Sequence, residues 1–301
     1  MKYLLGLLLL TSCITGAFVV EETGPPVDVH FCPWEDCEKI LDGYLSGSKQ
    51  KDCVWYDARE VFGDHVVMDA DYALPGVRVD TRKAYMHNKF CLLDSGVLTG
   101  SMNPTERGMH INYNNLIFIP SEYVKENYAV EFDELYSGIF GKGDLVDYPS
   151  IMYNGNELEV AFCPEDKCRE LVLSVLEAAK EEIKFMTFSF TDKEVLEVLV
   201  RKKEEGVNIE GIMEGQRRNM KYNKYRDLVK SGIKVYAENS SATMHHKVFI
   251  VDGRIVVTGS ANPTGSGYGK NDENIIVIED VDVAGKYLEA YKRLLNDIMA
   301  P

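Results

Sequence analysis

Two segments of the chain each place a lysine two residues after a histidine and an aspartate five residues after the lysine. The members are His87, Lys89 and Asp94 in the first segment, and His245, Lys247 and Asp252 in the second. Residues two apart on a strand point to the same side, so each histidine should act with its lysine. A neutral imidazole can attack phosphorus, a protonated imidazole can donate to a leaving oxygen, and ammonium groups can stabilise phosphate charge. We therefore predict that the histidines and lysines catalyse phosphoryl chemistry without a metal or other cofactor.

Serine and asparagine follow each segment at matched positions. The sequence Gly-Ser-x-Asn supplies Ser101, Asn103, Ser260 and Asn262. Because these side chains can donate hydrogen bonds to phosphate oxygens, we expect the asparagines in the catalytic set and the serines in substrate binding. Asp94 and Asp252 have the odd spacing that sends a strand side chain to the opposite face. We expect both to be structural and to cap the turns that follow them, at residues 95–96 and 253–254.

Four sequence blocks of the first part of the chain recur in the same order in the second part. The matched blocks begin at Val27 and Leu158, at Met86 and Met244, at Thr99 and Thr258, and at Asn115 and Asn274. The offset between copies is 131 residues at Cys32 and 158 at His87, so the second copy contains 27 additional residues before its histidine. Helical patterns over 192–205 and 220–231 occupy this region, and residues 58–79 of the first copy are too few for both. We interpret the first copy as a trimmed one, shortened in the region where the second copy has these two helical patterns.

The order of elements in each copy predicts the fold class. Each copy reads as strand, helix, strand, a variable middle, the motif strand, another strand and a terminal helix. Apolar runs without alternation, such as 248–251, are typical of strands buried on both faces. We predict an α/β fold in which two similar α/β/α sandwich halves, residues 27–154 and 155–301, pack about a pseudo-twofold axis.

The doubled motif resembles the paired signature of the phospholipase D superfamily over most of residues 27–301. The resemblance implies a bilobal α/β/α/β/α fold, one shared active site, a phosphohistidine intermediate and no metal. In many members the first histidine is the nucleophile and the second is the acid. Carried over, His87 attacks and His245 protonates, although the sequence leaves this order open.

One position departs from the family pattern. Many members have a glutamate after the Gly-Ser-x-Asn block that orients a catalytic histidine, and the second copy supplies Glu273 there. The first copy has Asn114 instead, which we assign to substrate binding. An amide accepts a hydrogen bond but stabilises an imidazolium less than a carboxylate does. We therefore expect the two histidines to differ in pKa.

Charge and composition bear on the substrate. The formal net charge of −15 argues against a broad basic surface for nucleic acid or anionic lipid. The compact duplicated chain favours a nuclease-like phosphodiesterase that acts as a monomer. The alternative is a phospholipase D or phosphatidyltransferase acting on membrane lipids. The most basic stretch, 217–226, has Tyr222 and Tyr225 available for stacking on bases, but we favour a solvated helix face. His246, beside His245, should face away from the site.

The N-terminal 26 residues have the pattern of a targeting segment and linker. Lys2 precedes an apolar run, and no further charge occurs before Glu21. This pattern is typical of a secretory signal, of a lipoprotein signal with lipid on Cys13, or of a membrane anchor. We expect export or membrane attachment in one of these forms, with a short linker over 21–27.

The remaining six cysteines are even in number, which favours disulfides in an exported chain. Cys32 and Cys37 have the same spacing as Cys163 and Cys168, and each pair should form a local bridge. Cys53 and Cys91 can pair if their strands are neighbours. The alternatives are a zinc site built from the two Cys-x4-Cys pairs and buried free thiols.

Overall fold

Two mixed β-sheets organise the computed structural model, which describes residues 19–300. The first sheet contains β2 (Asp28–Cys32), β3 (Lys51–Trp55), β4 (His65–Asp69), β5 (Arg78–Asp80), β6 (Lys89–Leu93), β7 (Gly96–Gly100) and β8 (Asn114–Ile119). The second contains β1 (Val20–Glu22), β9 (Ser150–Tyr153), β10 (Asn156–Cys163), β11 (Glu182–Thr187), β12 (Asn208–Glu214), β13 (Lys234–Glu238), β14 (Lys247–Val251), β15 (Ile255–Gly259) and β16 (Glu273–Glu279).

The strand order confirms the predicted fold class. The first sheet runs β2-β8-β7-β6-β3-β4-β5. The second sheet repeats this order as β10-β16-β15-β14-β11-β12-β13 and adds β9 and β1 at its edge. In both sheets the last three strands are parallel and the motif strands, β6 and β14, lie in the middle with every residue buried. The two halves are therefore copies of one α/β unit.

Helices cover both faces of each sheet. They are α1 (Cys37–Ser46), α2 (Glu106–His110), α3 (Glu122–Ser137), α4 (Cys168–Glu177), α5 (Lys193–Glu204), α6 (Tyr225–Lys230), α7 (Gly265–Gly269) and α8 (Val281–Met299). α3 and α8 lie in a core shared by the two sheets, α1 and α2 cover the outer face of the first sheet, and α4 to α7 cover the outer face of the second. The result is an α/β/α/β/α arrangement.

Within residues 19–300, the first copy lacks two helices that the second copy contains. Its β4 and β5 follow β3 without intervening helices, whereas α5 and α6 separate the corresponding strands of the second copy. α6 is shorter than the helical pattern over 220–231 predicts. Tyr222 has a positive φ of 74°, which a continuing right-handed helix does not allow, so the helix begins three residues later.

The N-terminal predictions fall partly outside the described residues. The signal, the lipidated Cys13 and most of the anchor lie within residues 1–18, which the structure does not describe. The linker prediction over 21–27 is wrong at its start, because Val20–Glu22 forms β1 and pairs in parallel with β9. β9 itself joins the second sheet, although the predicted division after residue 154 assigns it to the first half; that division stays a prediction. Between residues 19 and 300, no helix is both long and apolar enough to cross a membrane.

All three predicted disulfides are present. Cys32 is bonded to Cys37, Cys163 to Cys168, and Cys53 to Cys91. The last pair is directly opposed on the neighbouring strands β3 and β6. The six thiols are therefore used in bridges, and the zinc alternative is wrong.

Two asparagines connect the halves through buried hydrogen bonds. The bonds join Asn115 Nδ2 to Thr258 Oγ1 (3.1 Å) and Tyr287 Oη (2.9 Å), and Asn274 Nδ2 to Thr99 Oγ1 (2.8 Å) and Tyr128 Oη (2.7 Å). Each asparagine thus crosses to the other half and meets a threonine and a helix tyrosine. This reciprocity is what a pseudo-twofold axis requires.

Three carboxyl groups lie beside the shared core, and among residues 19–300 only that of Asp272 forms an ion pair with a cation, Arg82. Glu131 on α3 is 4% exposed and accepts a hydrogen bond from Asn88 Nδ2 at 3.0 Å. Burial, with the nearby Glu165 and Asp272, raises the pKa of Glu131 well above its ordinary value. Burial also raises the pKa of Glu165 to about 7, and that of Asp272 to about 7 although Arg82 opposes the shift.

We expect Glu131→Gln to stabilise the protein at about pH 8 and to lose that advantage near pH 4. Above the ordinary carboxyl pKa the unfolded chain releases a proton that folded Glu131 retains, so wild-type stability falls as pH rises. Glutamine can still accept the bond from Asn88 and has no charge to bury. Thermal unfolding between these pH values tests this, with the exposed Asp133→Asn on the same helix as control. A pH-independent difference would contradict the assignment.

Candidate active site

Each motif histidine lies just before its motif strand, where one half contacts the other. His87 N donates to Asp272 O at 2.9 Å, and Asp272 N donates at 2.9 Å to the carbonyl two residues before His87. An equivalent pair of bonds of the same length connects the His245 segment to Tyr113. These short parallel bridges place each histidine beside the first residue of β16 or β8 in the opposite half.

His87 is bound by a carboxylate from the opposite half. Its Nδ1 lies 2.7 Å from Glu273 Oε2. The same carboxylate accepts from Ser260 Oγ at 2.7 Å and from Asn271 Nδ2 at 3.1 Å. Glu273 is fully buried and His87 is 8% exposed. With Nδ1 directed at Glu273, Nε2 is the ring nitrogen left to react.

His245 is bound by an amide instead. Its Nδ1 lies 2.9 Å from Asn114 Oδ1 and 3.1 Å from Ser101 O. Asn114 Nδ2 donates to Gly108 O at 2.9 Å, so Oδ1 must face the imidazole. The two closest neighbours of Nδ1 are acceptors, which favours a proton on Nδ1 and leaves Nε2 as the nitrogen that reacts. Lys247 Nζ lies 3.3 Å from Nδ1 and 3.2 Å from Nε2.

The different partners give the two imidazoles different electrostatics. Burial lowers the pKa of His87 to about 4, with Glu273 opposing this shift. Burial lowers the pKa of His245 well below its ordinary value, and Lys247, Lys89 and His87 lower it further. Burial alone would raise the pKa of Glu273, but His87 and Lys89 bring it below its usual range. These shifts favour an ionised Glu273 beside a neutral His87.

The two motif lysines lie under the histidines. Lys89 Nζ donates to His87 O at 2.6 Å, and Lys247 Nζ donates to His245 O at 2.7 Å. Lys89 is 1% exposed and Lys247 is 3% exposed. Burial lowers the pKa of Lys89 to about 7 and that of Lys247 well below its ordinary value. An anion bound between them would raise the pKa of both lysines, because an opposite charge favours the ammonium form.

A cleft of about 940 Å³ opens over these groups. His87, His245, Glu273, Asn103 and Asn262 all line it. The side-chain oxygens of Asn103 and Asn262 are buried and have no hydrogen-bond partner among residues 19–300. The structure therefore brings the two histidines and both motif asparagines to one cleft, as one shared site requires.

The two motif serines lie behind the histidines. Ser101 Oγ donates to Asn114 Oδ1 at 3.1 Å and accepts from Asn115 N at 3.0 Å. Ser260 makes the equivalent bonds to Glu273 and to the amide of the next residue. Both serines are fully buried. Their hydroxyl groups hold Asn114 and Glu273, the histidine partners, in place. This placement does not support the predicted contact of Ser101, Ser260 and Asn114 with the substrate.

The motif aspartates are far along their strands from the histidines and bind backbone amides. Asp94 accepts from Lys49 N at 2.7 Å and Gln50 N at 3.1 Å. Asp252 accepts from the amides of residues 180, 181 and 182 at 2.8–2.9 Å. The prediction that they cap their own turns is wrong, because each instead holds the loop that enters the neighbouring strand, β3 or β11.

Sequence reasoning missed an aromatic residue beside each histidine. The Tyr56 ring lies 4.5 Å from the His87 ring, and the Phe188 ring lies 4.8 Å from the His245 ring. Lys89 Nζ lies 5.0 Å from the Tyr56 centroid. Tyr56 directly follows β3, and Phe188 directly follows β11, the corresponding strand of the second copy. The sequence separation of these two residues is close to the offset between the two copies of the first repeated block. Extending the repeat comparison by one strand would have identified both.

The mouth of the cleft is aromatic on one side and cationic on the other. Tyr72 and Tyr85 are each 42% exposed, and their rings lie 4.9 Å and 5.4 Å from Tyr56. On the other side Arg217 lies over Phe188, with its guanidinium carbon 3.9 Å from the ring centroid. The solvated-face interpretation of 217–226 is therefore wrong for Arg217, which lines the cleft.

His246 has the position that the sequence predicts. It is fully buried, and its Nδ1 lies 3.3 Å from Asn115 Oδ1. Its ring also contacts Phe31 in the core between the sheets, at 6.2 Å between centroids. The side chain therefore faces away from the cleft.

Two buried histidine–lysine pairs across a pseudo-twofold axis define a class of enzyme that acts on phosphoric diesters. A family model described as "Cardiolipin synthase, PLD-like domain" matches residues 70–136 and 172–295. The chain belongs to this phospholipase D-like family.

Individual relatives and solved structures resemble different parts of the chain. A phospholipase D from Rickettsia bellii is 28% identical over 134 residues, which is 44% of this chain and 67% of that protein. Nuc from Salmonella typhimurium, a phospholipase D family member, is 30% identical over 47% of this chain and 95% of its own, with a TM-score of 0.44. A phosphatidylserine synthase from Haemophilus influenzae, 12% identical, covers 90% of this chain and 85% of its own with a TM-score of 0.65, a likeness of fold.

We expect Glu273→Gln to lower kcat on a phosphodiester about a hundredfold or more, because His87 loses its charged partner. Asn114→Ala, which removes the neutral partner of His245, should cost less, since hydrogen bonds to ionised groups are about twice as strong as neutral ones. Steady-state rates of both variants test this, with thermal unfolding as the check on folding. A larger loss for Asn114→Ala would contradict the assigned asymmetry.

Proposed function

We propose that this enzyme is a metal-independent, nuclease-like phosphodiesterase that acts through a covalent phosphohistidine on His87. The observation that carries the proposal is that each catalytic histidine is hydrogen-bonded by a residue of the opposite half, and that these two partners differ. A carboxylate binds His87 and an amide binds His245 within one cleft, and the buried Lys89 and Lys247 donate to the carbonyls of these two histidines. A carboxylate bound to Nδ1–H raises the basicity of the ring and stabilises the positive charge that develops on it, as a nucleophile needs.

In the first step, the Nε2 lone pair of His87 attacks phosphorus and forms a P–N bond. The bond from phosphorus to the leaving oxygen breaks, and protonated His245 supplies a proton to that oxygen from Nε2. The bound phosphodiester is itself an anion and raises the pKa of His245, which supports the protonated form. The leaving alcohol then departs.

In the second step, neutral His245 accepts a proton from water while the water oxygen attacks phosphorus. The P–N bond breaks, and the electron pair returns to His87 Nε2. The products are a phosphomonoester and regenerated enzyme with His245 protonated. Lys89 and Lys247 stabilise the phosphoryl charge in both steps, and Asn103 and Asn262 supply neutral hydrogen bonds. Ser101, Ser260 and Asn114 act as positioning residues behind the imidazoles.

The mouth of the cleft favours single-stranded nucleic acid as substrate. Three tyrosines form one side, and exposed Lys83 and Lys270 lie at the rim with Arg217. Aromatic side chains with interspersed cations are typical of sites that stack bases and track a phosphate backbone. The net charge of −15 limits this basic character to the cleft. Three disulfides favour an oxidising compartment, so we also propose that the enzyme acts outside the cytoplasm.

A phospholipid is the second candidate substrate. The observation that favours it is the name of the Rickettsia bellii relative, a phospholipase D, together with the cardiolipin synthase description of the matching family model. The chemistry at His87 would be the same with a lipid. Hydrolysis of a single-stranded oligonucleotide and of phosphatidylglycerol vesicles by the same preparation distinguishes the two substrates.

We expect the wild-type enzyme to hydrolyse bis(p-nitrophenyl) phosphate in excess EDTA. His245→Asn should release a burst of about one equivalent of p-nitrophenolate per enzyme and then stall, because this leaving group needs no proton while hydrolysis of the intermediate needs a base. His87→Asn should give no burst, since it lacks the nucleophile. Rapid-mixing absorbance measurements test this.

The reverse pattern, a burst from His87→Asn and none from His245→Asn, would exchange the two roles. Activity that survives both substitutions would show that neither histidine carries the reaction. Loss of wild-type activity in EDTA that is restored by a divalent metal would contradict the metal-independent mechanism.

A further inference from the structure

The two sides of the cleft present different residues at equivalent positions. Asp69 Oδ2 accepts from the amide of Met86 at 3.0 Å, and Glu214 Oε2 accepts from the amide of Met244 at 2.9 Å. These acidic residues end β4 and β12 and are related by the pseudo-twofold axis. Three residues after each of them the cleft is lined by Tyr72 on one side and by Arg217 on the other. The duplication therefore contains an exchange of an aromatic side chain for a cation at one cleft position.

Arg217 has the environment of a group that binds an anion. Its guanidinium lies over Phe188, which also contacts His245. The side chain is half-buried, and within residues 19–300 it makes no ion pair. Glu214 is the nearby carboxylate, but its two oxygens accept backbone amides of Gln216 and Met244. A guanidinium presents its donors in a planar fork that suits a phosphate.

The direction of the reaction assigns this side to the leaving group. In an in-line displacement the attacking and leaving atoms lie on opposite sides of phosphorus. With His87 attacking, the leaving oxygen faces His245 and therefore the side formed by Phe188 and Arg217. The group that stays on phosphorus is equatorial to this axis, and we assign it to the part of the cleft lined by Tyr56, Tyr72 and Tyr85.

We propose that Arg217, which lies over Phe188, forms a subsite for a second phosphate carried by the leaving group. This inference rests on the proposed function, in particular on His87 as nucleophile. The enzyme then prefers diesters whose leaving alcohol is itself phosphorylated, which is the situation within an oligonucleotide. The tyrosine side accepts the base of the retained nucleotide by stacking.

Three thymidine substrates test the subsite: the dinucleotide TpT, and the same dinucleotide with an added phosphate at its 5′ end or at its 3′ end. Product analysis of TpT identifies which nucleoside is the leaving group. Wild-type enzyme should cleave the substrate with the phosphate on that nucleoside at least about tenfold more efficiently than TpT, in kcat/KM. The phosphate on the retained nucleoside should give a smaller gain.

Arg217→Ala should reduce that preference to near unity, and Arg217→Lys should recover part of it, because a lysine keeps the charge without the planar fork. Arg218→Ala is the matched control, since Arg218 is the exposed neighbour and does not line the cleft. It should keep the preference intact. Tyr72→Ala should weaken all three substrates while leaving the preference in place, which separates the two sides of the cleft.

Two results would overturn the subsite. The first is a preference for phosphate on the leaving nucleoside that Arg217→Ala leaves unchanged. The second is a preference for phosphate on the retained nucleoside that Arg217→Ala removes. TpT cleavage that requires His87 would leave the proposed function standing in either case. Cleavage of a two-phosphate phospholipid in vesicles, with none of the thymidine substrates cleaved, would overturn the nucleotide assignment. Absence of cleavage on every substrate, bis(p-nitrophenyl) phosphate included, would contradict the proposed function itself.

Discussion

The crossed hydrogen bonding between the two halves is the constraint on which the site depends. Backbone bridges connect each histidine segment to the opposite half, and Glu273 or Asn114 then binds the imidazole presented there. Behind them, the reciprocal amide–hydroxyl bonds of Asn115 and Asn274 are fully buried, where an unpaired polar group would cost about 1–3 kcal/mol. Neither half can therefore supply a complete site alone. Relative displacement of the halves would remove the partners of both histidines together.

The two halves share one fold, but the side chains at the active site differ between them. Duplication supplied two equivalent histidine–lysine pairs, and substitutions between the copies, two of them central to this account, distinguish the pairs. A carboxylate against an amide gives the imidazoles different partners, and a tyrosine against an arginine gives the cleft two different sides. The difference in charge between Glu273 and Asn114 affects which histidine attacks phosphorus. The difference between Tyr72 and Arg217 at the mouth of the cleft affects the orientation in which a substrate binds.

Repetition made much of the fold and site predictable from sequence. The doubled motif identified His87 and His245, and the offset between blocks located the helices missing from the first copy. Equal Cys-x4-Cys spacing predicted two disulfides. Other features depend on contacts between distant segments. The packing of the two halves determines which half supplies the hydrogen-bond partner of each histidine. It also determines the burial of Ser101 and Ser260. A basic stretch has no periodicity that marks one member as lining a cleft, so the sequence does not distinguish Arg217 from its solvated neighbours.

The most direct test of the account is to locate the covalent phosphoryl group. His245→Asn enzyme mixed with bis(p-nitrophenyl) phosphate in EDTA should accumulate an acid-labile, base-stable adduct, which mass spectrometry of peptides prepared at high pH can assign. The account predicts one adduct per chain, on His87. An adduct on any other residue, or a burst of product without an adduct, would contradict the division of roles that Glu273 and Asn114 are proposed to establish.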